Sequence, residues 1–415
     1  MRIEPREIRP AETPGRTLQM RLREAISSAI WEGRFRPGDR LPSTRALAEA
    51  LGVARITAGL AYEELAAAGW LRAEPRRGWF VAEDAPARPP LGPPAEGAGP
   101  DWARLLGPEA PALGAQAKPA DWRRFAFPFV FGQADPEGFP LDDWRFCARR
   151  ALGRAEFDAV AGDVGDRDDP LLVAGIADRG LAARGVRAAP EEVLVTSGAQ
   201  NALWLAAELV LKARPGALAA VEEPGYPELR HMLRRMGARL APVPVDGEGM
   251  DPEAVPAEAA MVFVTPSHQA PTGAALSEAR RARLLARAAA EGWIVIEDDY
   301  DFDSRAAAPP APALKARDAG GRVIHVGSFS KSLFPGLRLG FLHGPEAVVR
   351  RARAVRTLSA RHPPGLTQRT AAHFLALGRY DAHVAALRRR LAARRAALEA
   401  ALAAQGLPAP AGAGG

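Results

Sequence analysis

The sequence is poor in lysine and in cysteine. Lysine supplies only four of its 55 basic residues, at Lys118, Lys212, Lys315 and Lys331, and arginine supplies the rest. Arginine stays protonated at neutral pH, so only these four lysines can form an imine with an aldehyde. Cys147 is the single cysteine, which excludes an internal disulfide and fits a reducing compartment.

Long apolar runs are absent too. The most apolar stretch, residues 199–211, contains Glu208 and is too short to span a bilayer. The first five residues have no apolar signal core. We therefore expect a cytoplasmic protein without membrane contact. Nothing in the sequence predicts a metal site.

The net charge permits nucleic-acid binding without indicating it. The formal charge is +6, but residues 1–84 hold 14 arginines against 12 acidic residues. Any DNA contact there must come from the placement of individual arginines rather than from bulk charge.

Residues 1–84 have the pattern of a winged helix-turn-helix domain. Apolar residues recur at helical spacing over 17–31, and a second helix begins near Ser43, a good N-cap. After a tight turn at 52–54, a third helix carries Ile56, Leu60 and Leu65, which we expect on one face. Two short strands follow, at 70–73 and 79–82. This order predicts a DNA-binding domain.

That arrangement predicts which residues meet DNA. The third helix would enter the major groove with its first residues facing base edges, the preceding helix would contact phosphates, and the wing tip would reach the backbone or minor groove. The predicted base contacts are Arg55, Ile56 and Thr57, and the predicted phosphate contacts are Ser43, Thr44 and Arg45. The predicted contacts at the wing tip are Arg76, Arg77 and Gly78.

The remaining chain divides into a linker and an α/β region. Residues 85–121 are rich in proline, glycine and alanine, which predicts a semi-extended linker. Strand-like runs at 193–196, 217–222, 261–265, 293–297 and 323–326 alternate with helices such as 200–211 and 277–291. This alternation predicts a mostly parallel sheet covered by helices over 122–345. Residues 346–415 are helical, and we expect them to form an incomplete small domain.

Groups suited to a phosphorylated aldehyde follow the strand at 323–326. Ser328, Ser330 and Arg338 would bind the phosphate, and Lys331 would form a Schiff base. They lie at a strand end, where α/β folds keep their ligands.

Three further strand ends carry matching groups. Asp298 would keep a pyridine nitrogen protonated, and Tyr300 would donate to the ring oxygen. Gly198, Ala199 and Gln200 join a strand to a helix and would cradle phosphate with backbone N–H groups, while Tyr226 would stack on the ring.

Residues 34–48 and 51–57 closely resemble the GntR family of bacterial regulators, and the strand-end motifs resemble fold-type I pyridoxal-phosphate enzymes. Together they resemble the MocR/GabR-type regulators, which fuse both domains. The resemblance implies pyridoxal 5'-phosphate as cofactor, a double-stranded DNA operator, a small amino compound as effector and a homodimer. Residues 162–172 and 361–369 look most like regulators of ectoine breakdown, which would make the effector a diaminobutyrate derivative.

The sequence departs from these families in four places. Ala54 replaces a capping serine, and Ala270 replaces an asparagine that contacts the ring oxygen. Residues 163–166 lack the tyrosine that reaches the phosphate across a dimer, and no residue matches the arginine that clamps the substrate carboxylate. His268 and His362 are either ligand contacts or hydrogen-bonded structural residues, and the structural role is the more common one for such histidines.

Three functions stay open at this point. The first is a ligand-responsive transcriptional regulator that binds pyridoxal phosphate, which the intact segment 45–57 favours. The second is a pyridoxal-phosphate-dependent aminotransferase with an appended DNA-binding domain, which lacks its carboxylate clamp and retains at most a half-reaction. The third is a regulator whose second domain only dimerises. Lys331, Asp298 and Arg338 argue against this function, whereas the apparently incomplete small domain argues for it.

Overall fold

The computed structural model describes residues 1–89, 100–106, 119–128, 130, 135, 138–301 and 311–408. The chain forms two compact units, Met1–Pro108 and Glu109–Gly415. Much of the linker predicted over 85–121 lies outside the described residues. No helix in the described part of the chain is both long enough and apolar enough to cross a membrane.

The first unit is a helix-turn-helix followed by a two-stranded wing. Its elements are α1 (Leu18–Trp31), α2 (Thr44–Leu51), α3 (Arg55–Ala67), β1 (Leu71–Glu74) and β2 (Gly78–Val81), with the two strands antiparallel. Ser43 caps α2 as predicted, because its side chain accepts a hydrogen bond from Ala46 N. Gly52 ends α2 in the left-handed conformation that a tight turn needs, with φ 65°. The winged helix-turn-helix prediction is confirmed.

One detail of that prediction is wrong. Ile56, Leu60 and Leu65 do not share a face of α3: Leu65 is fully buried, whereas Ile56 is 71% exposed and Leu60 42% exposed. Nine residues separate Ile56 from Leu65, which is two and a half turns at 3.6 residues per turn, so the two side chains point in opposite directions. The core of the unit instead receives Ala58, Ala61, Tyr62 and Leu65 from this helix.

The first residues of the chain complete this unit. Ile3 and Ile8 are buried in the same core, and Arg2 forms a β-bridge with Arg40, which in turn bridges to Phe80 of the wing. Sequence periodicity did not indicate these contacts, because the segment is too short to show a repeat. Beyond the wing, α4 (Trp102–Leu105) is a single helical turn inside the segment that we predicted as an irregular linker.

The second unit alternates strands and helices. Its first three α-helices within the described residues are α5 (Leu141–Ala151), α6 (Phe157–Ala161) and α7 (Pro170–Gly175). The following elements are, in chain order, β3 (Val193–Thr196), α8 (Ala199–Ala213), β4 (Leu218–Glu223), α9 (Pro227–Arg235), β5 (Arg239–Asp246), β6 (Gly249–Met250), β7 (Met261–Val264), α10 (Glu278–Glu291), β8 (Ile294–Asp299), β9 (Val323–Ser328) and β10 (Gly340–His343). Helices α11 (Glu346–Ala360), α12 (Gly365–Ala376) and α13 (Arg379–Ala404) follow.

The strands form a mixed, mostly parallel sheet in the order β3-β10-β9-β8-β7-β4-β5-β6. Strands β9, β8, β7, β4 and β5 are parallel, and β10 runs antiparallel between β3 and β9. Neighbouring residues of β8 face opposite sides: Ile296 packs with α8, whereas Val295 packs with α10. The fold class predicted for this region is confirmed.

All five predicted strands are present, with ends displaced by at most two residues. Three strands were missed. β5 contains Pro242 and Pro244, which are unusual in a strand, and β6 has two residues. β10 begins at Gly340, two residues after Arg338 of the predicted phosphate site, and its four residues are too few to show a pattern.

Candidate cofactor pocket and nucleic-acid interface

The predicted cofactor residues of the second unit lie at one edge of its sheet. Strands β3, β4, β7, β8 and β9 all end there, which is where α/β folds bind ligands. All of these ends except that of β7 contribute to the predicted set: Gly198, Ala199 and Gln200 after β3, Tyr226 after β4, Asp298 and Tyr300 at the end of β8, and Ser328, Ser330 and Lys331 at the end of β9. Arg338 lies just before β10.

The start of α8 lies beside a guanidinium group. Gly198 precedes α8 with φ 86° and ψ 172°, a conformation open essentially to glycine alone. A Cβ atom added there would lie 2.8 Å from Nη2 of Arg338, which donates to the carbonyl of Ser197 at 3.2 Å. Arg338 is exposed and has φ 51°. The first N–H groups of the helix and this guanidinium together suit an anion.

The end of β9 places a lysine close to a tyrosine. Ser328 is buried, and its hydroxyl accepts a hydrogen bond from Ser330 N at 3.2 Å, which fixes the turn after the strand. Nζ of Lys331 lies 5.9 Å from the ring centroid of Tyr300. Burial raises the pKa of Tyr300, so its hydroxyl keeps its proton and can donate it.

Asp298 has one carboxylate oxygen without a hydrogen-bond donor among the described residues. Oδ1 of Asp298 is buried and no described residue hydrogen-bonds it. Burial, together with the nearby carboxylates of Asp299 and Glu222, raises the pKa of Asp298 to about 7. A buried acceptor without a donor is costly, so it suits a cationic N–H brought by a ligand. A protonated pyridine nitrogen is such a donor.

Tyr226 is held against the first turn of α8. Its hydroxyl donates to Oε1 of Gln200 at 3.0 Å, and burial raises the pKa of Tyr226. Tyr226 and Asp298 line one small cavity together with Glu222. Three features thus fit the groups of pyridoxal phosphate. The unpartnered oxygen of Asp298 fits the ring nitrogen, the start of α8 at Gly198 fits the phosphate, and the amine of Lys331 fits the aldehyde.

Sequence reasoning missed Glu222, which ties two pocket loops together. Its carboxylate accepts from Thr265 N at 3.1 Å, from Thr265 Oγ1 at 2.5 Å and from Gln269 Nε2 at 3.2 Å. Gln269 also donates to the carbonyl of Pro224 at 2.8 Å. Burial raises the pKa of Glu222. The available signal was an acidic residue at the end of a predicted strand, directly before the loop that carries Tyr226.

Charged residues on the opposite side of β8 were missed too. Arg184 forms a buried ion pair with Asp299 at 2.7 Å and donates to the hydroxyl of Ser267 at 2.7 Å. Glu297 lies 3.1 Å from Nδ1 of His325, and although burial opposes ionisation, this contact helps to lower the pKa of Glu297. The two acids that flank Asp298 are therefore compensated, while Asp298 itself is not.

The two histidines that we singled out have hydrogen-bond partners. Nδ1 of His268 lies 2.9 Å from Asp301 Oδ2, and its ring is 6.1 Å from that of Tyr300. Nδ1 of His362 lies 2.9 Å from the carbonyl of Pro363. His268 thus belongs to the surroundings of Tyr300, and His362 is held within its own loop.

In the first unit, the predicted DNA contacts include arginines without acidic partners. Among the residues that the structure describes, no carboxylate lies within ion-pair distance of Arg45, Arg55 or Arg76. Other arginines of the unit are paired, for example Arg23 with Glu64 at 3.2 Å. Arg77 is also paired, with Glu74, and lies over the ring of Phe80. The positive charges of Arg45 on α2, Arg55 on α3 and Arg76 at the wing tip are therefore uncompensated within the described part of the chain.

Local backbone geometry positions these residues. Ser43 and Thr44 begin α2, and Arg55, Ile56 and Thr57 form the first turn of α3. Ala54 precedes α3 without a capping hydrogen bond, as expected from the missing serine. Gly78 has φ 110° at the end of the wing turn, which glycine adopts without strain.

Comparison with known proteins assigns both units. Residues 18–81 match the model "Bacterial regulatory proteins, gntR family", and residues 148–415 match "Aminotransferase class I and II". The HTH-type transcriptional regulator TauR of Rhodobacter capsulatus is 51% identical across 94% of this chain and 81% of its own length. The probable rhizopine catabolism regulatory protein MocR of Rhizobium meliloti is 34% identical, across 93% of this chain and 77% of its own.

Solved structures support the fold of the second unit. The α-aminoadipate aminotransferase LysN of Thermus thermophilus, complexed with N-(5'-phosphopyridoxyl)-L-leucine, superposes with a TM-score of 0.63 at 28% identity. The match covers 76% of this chain and 81% of that one.

Proposed function

Because the chain belongs to the MocR-type transcriptional regulators, which join a GntR helix-turn-helix domain to an aminotransferase class I and II domain, we propose that it binds pyridoxal 5'-phosphate and changes its DNA binding in response to a small amino compound. Operator binding is assigned to residues 1–84 and the cofactor pocket to residues 122–345.

The observation that carries this proposal is the unpartnered oxygen of Asp298. This buried oxygen at the end of β8 accepts no hydrogen bond from the described chain, and a cationic donor brought by a ligand would satisfy it. The protonated ring nitrogen of the cofactor is one. When bound, the cofactor supplies an electrophilic aldehyde carbon and a ring that withdraws electrons.

The chain's residues divide the remaining tasks. Lys331 would hold the aldehyde of the cofactor through its amine, and the hydroxyl of Tyr300 would donate to the ring oxygen. Tyr226, whose hydroxyl donates to Gln200, would stack on the ring. Arg338, Ser328, Ser330 and the backbone N–H groups of Gly198, Ala199 and Gln200 would receive the phosphate.

The operator is a DNA duplex that the first unit binds through its helix-turn-helix, formed by α2 and α3, and its wing. Arg55, Ile56 and Thr57 meet base edges, Ser43, Thr44 and Arg45 meet phosphates, and Arg76, Arg77 and Gly78 contact the duplex at the wing tip. A homodimer fits this role, since two copies would bind two half-sites. Binding to a DNA operator would place the activity of the protein in the cytoplasm.

The test measures DNA binding as a function of cofactor and amine. A duplex selected by the full-length protein from a random-sequence pool is titrated at fixed salt, with and without pyridoxal phosphate, and then with a panel of primary amines. We expect one class of amine to shift the operator Kd of the loaded protein. Because the amine of Lys331 would hold the cofactor, Lys331→Ala should still bind the duplex but no longer respond.

Two outcomes would contradict the proposal. If neither cofactor nor any amine shifts the Kd, the second unit does not sense a ligand. If Lys331→Ala responds like the unmodified protein, the amine acts elsewhere. Lys212→Ala is the matched control, since Lys212 lies in the last turn of α8, away from the sheet edge.

A further inference from the structure

The outward face of α3 is apolar over its first two turns. Ile56 is 71% exposed and Leu60 42% exposed, and Gly59 lies between them. These positions are spaced by three and four residues, so they form one stripe on the helix surface. The stripe lies opposite the buried face formed by Ala58, Ala61, Tyr62 and Leu65.

Folding does not explain the glycine in this stripe. A glycine inside a helix costs about 1 kcal/mol relative to alanine. A Cβ atom added at Gly59 would meet no atom of the described chain within 4 Å. A side chain would therefore fit in the free protein. Glycine is also the residue that lets a ligand approach a helix backbone closely, which points to a ligand on this face.

Arginines at the starts of α2 and α3 indicate what kind of ligand the stripe meets. Arg55 begins α3, Arg45 lies on α2, and neither has an acidic partner within the described residues. An apolar protein partner would leave these guanidinium groups uncompensated at the edge of the contact. A polyanion that offers apolar groups between its charges satisfies both features. In the major groove of DNA the thymine C5-methyl is such a group.

We propose that the stripe Ile56–Gly59–Leu60 reads thymine methyl groups in the major groove. Ile56 in the first turn meets one methyl, Gly59 admits the edge of the base pair, and Leu60 meets a second methyl one turn further along. The inference rests on the proposed DNA binding and adds to it the bases that α3 prefers. Operator half-sites should therefore carry thymine at the positions beneath α3.

Deoxyuridine provides the direct test, since it differs from thymidine only by lacking that methyl. The probe is the duplex selected by the full-length protein from a random-sequence pool, remade with each thymine replaced in turn by deoxyuridine. We expect one or two replacements to weaken binding about fourfold each, the equivalent of one buried methylene. Ile56→Ala should bind the thymine duplex more weakly and be indifferent to the replacement that affects the unmodified protein. Leu60→Ala should behave likewise at the second position.

The control is Leu358→Ala, since Leu358 is 90% exposed on α11 of the second unit. It should retain both the affinity and the response to deoxyuridine. Equal binding of all thymine and deoxyuridine duplexes, within twofold, would overturn the inference while leaving DNA binding established. So would a deoxyuridine response that persists in both α3 variants, or variants that lose self-association instead. Failure to select any duplex would refute the proposed DNA binding, and this inference with it.

Discussion

Replacing Gly198 by alanine should damage the cofactor pocket more than a comparable change elsewhere. The backbone at Gly198, with φ 86° and ψ 172°, costs another residue about 1–3 kcal/mol. The new Cβ would stand 2.8 Å from Nη2 of Arg338, so the guanidinium must move away from the Ser197 carbonyl. Losing that hydrogen bond adds about 1 kcal/mol. We expect a total loss of about 2–4 kcal/mol and much weaker binding of pyridoxal phosphate.

The assay compares this variant with Gly216→Ala. Gly216 has φ 71° but no atom within 4 Å of an added Cβ, so alanine there meets only backbone strain of about 1–2 kcal/mol. Urea unfolding followed by tryptophan fluorescence gives the stability, and absorbance titration gives the cofactor affinity. If Gly198→Ala binds the cofactor like the unmodified protein, or loses no more stability than Gly216→Ala, the anion cradle at the start of α8 is refuted.

Three other changes test separate parts of the structure. Because the pKa of Asp298 is raised to about 7, the cofactor-free protein should lose stability as the pH rises from about 4 to 7, and Asp298→Asn should remove on the order of 4 kcal/mol of that loss in urea unfolding at pH 8. Ala54→Ser should supply the missing cap of α3 and slow hydrogen exchange of the Ile56 and Thr57 amides about fivefold, as expected for about 1 kcal/mol. Arg55→Ala should weaken binding to the selected duplex by about 1–3 kcal/mol in fluorescence anisotropy.

Each of these has an outcome that would count against it. A pH profile of stability that Asp298→Asn leaves unchanged would mean that Asp298 is ionised in the free pocket. Unaltered exchange in Ala54→Ser would mean that the start of α3 is already fixed by other contacts. Arg23→Ala is the control for Arg55→Ala, because Arg23 is paired with Glu64 on α3. Equal losses for both variants would indicate a general charge effect.

The parts of the fold that the sequence predicted are those with strong local signals. Buried parallel strands such as β3 and β9 are continuous apolar runs, and Ser43 stands directly before a helical pattern. The proposed pocket residues were predicted from a signal of the same kind, since polar groups that directly follow buried strands meet at one edge of a parallel sheet. Sequence order was enough to place Asp298 and Lys331 at the ends of strands that prove to be adjacent and parallel.

What escaped prediction depends on contacts between distant segments. Strand β10 is recognisable only by its pairing with β3 and β9, and Glu222 acquires its role only when Gln269 folds back onto it. The two faces of α3 were misassigned because both carry large apolar residues. Periodicity alone does not say which of Ile56 and Leu65 meets the core, since each face satisfies the same helical spacing.

The most direct test of the account is to trap the bond between Lys331 and the cofactor. The full-length protein is incubated with pyridoxal phosphate, reduced with borohydride and mapped by peptide mass spectrometry. The chain has only three other lysines, at Lys118, Lys212 and Lys315, so assignment is unambiguous. We predict a pyridoxyl adduct confined to the Lys331 peptide. An adduct spread over the other lysines, or none at all, would contradict the proposed pocket and leave DNA binding as the function to pursue.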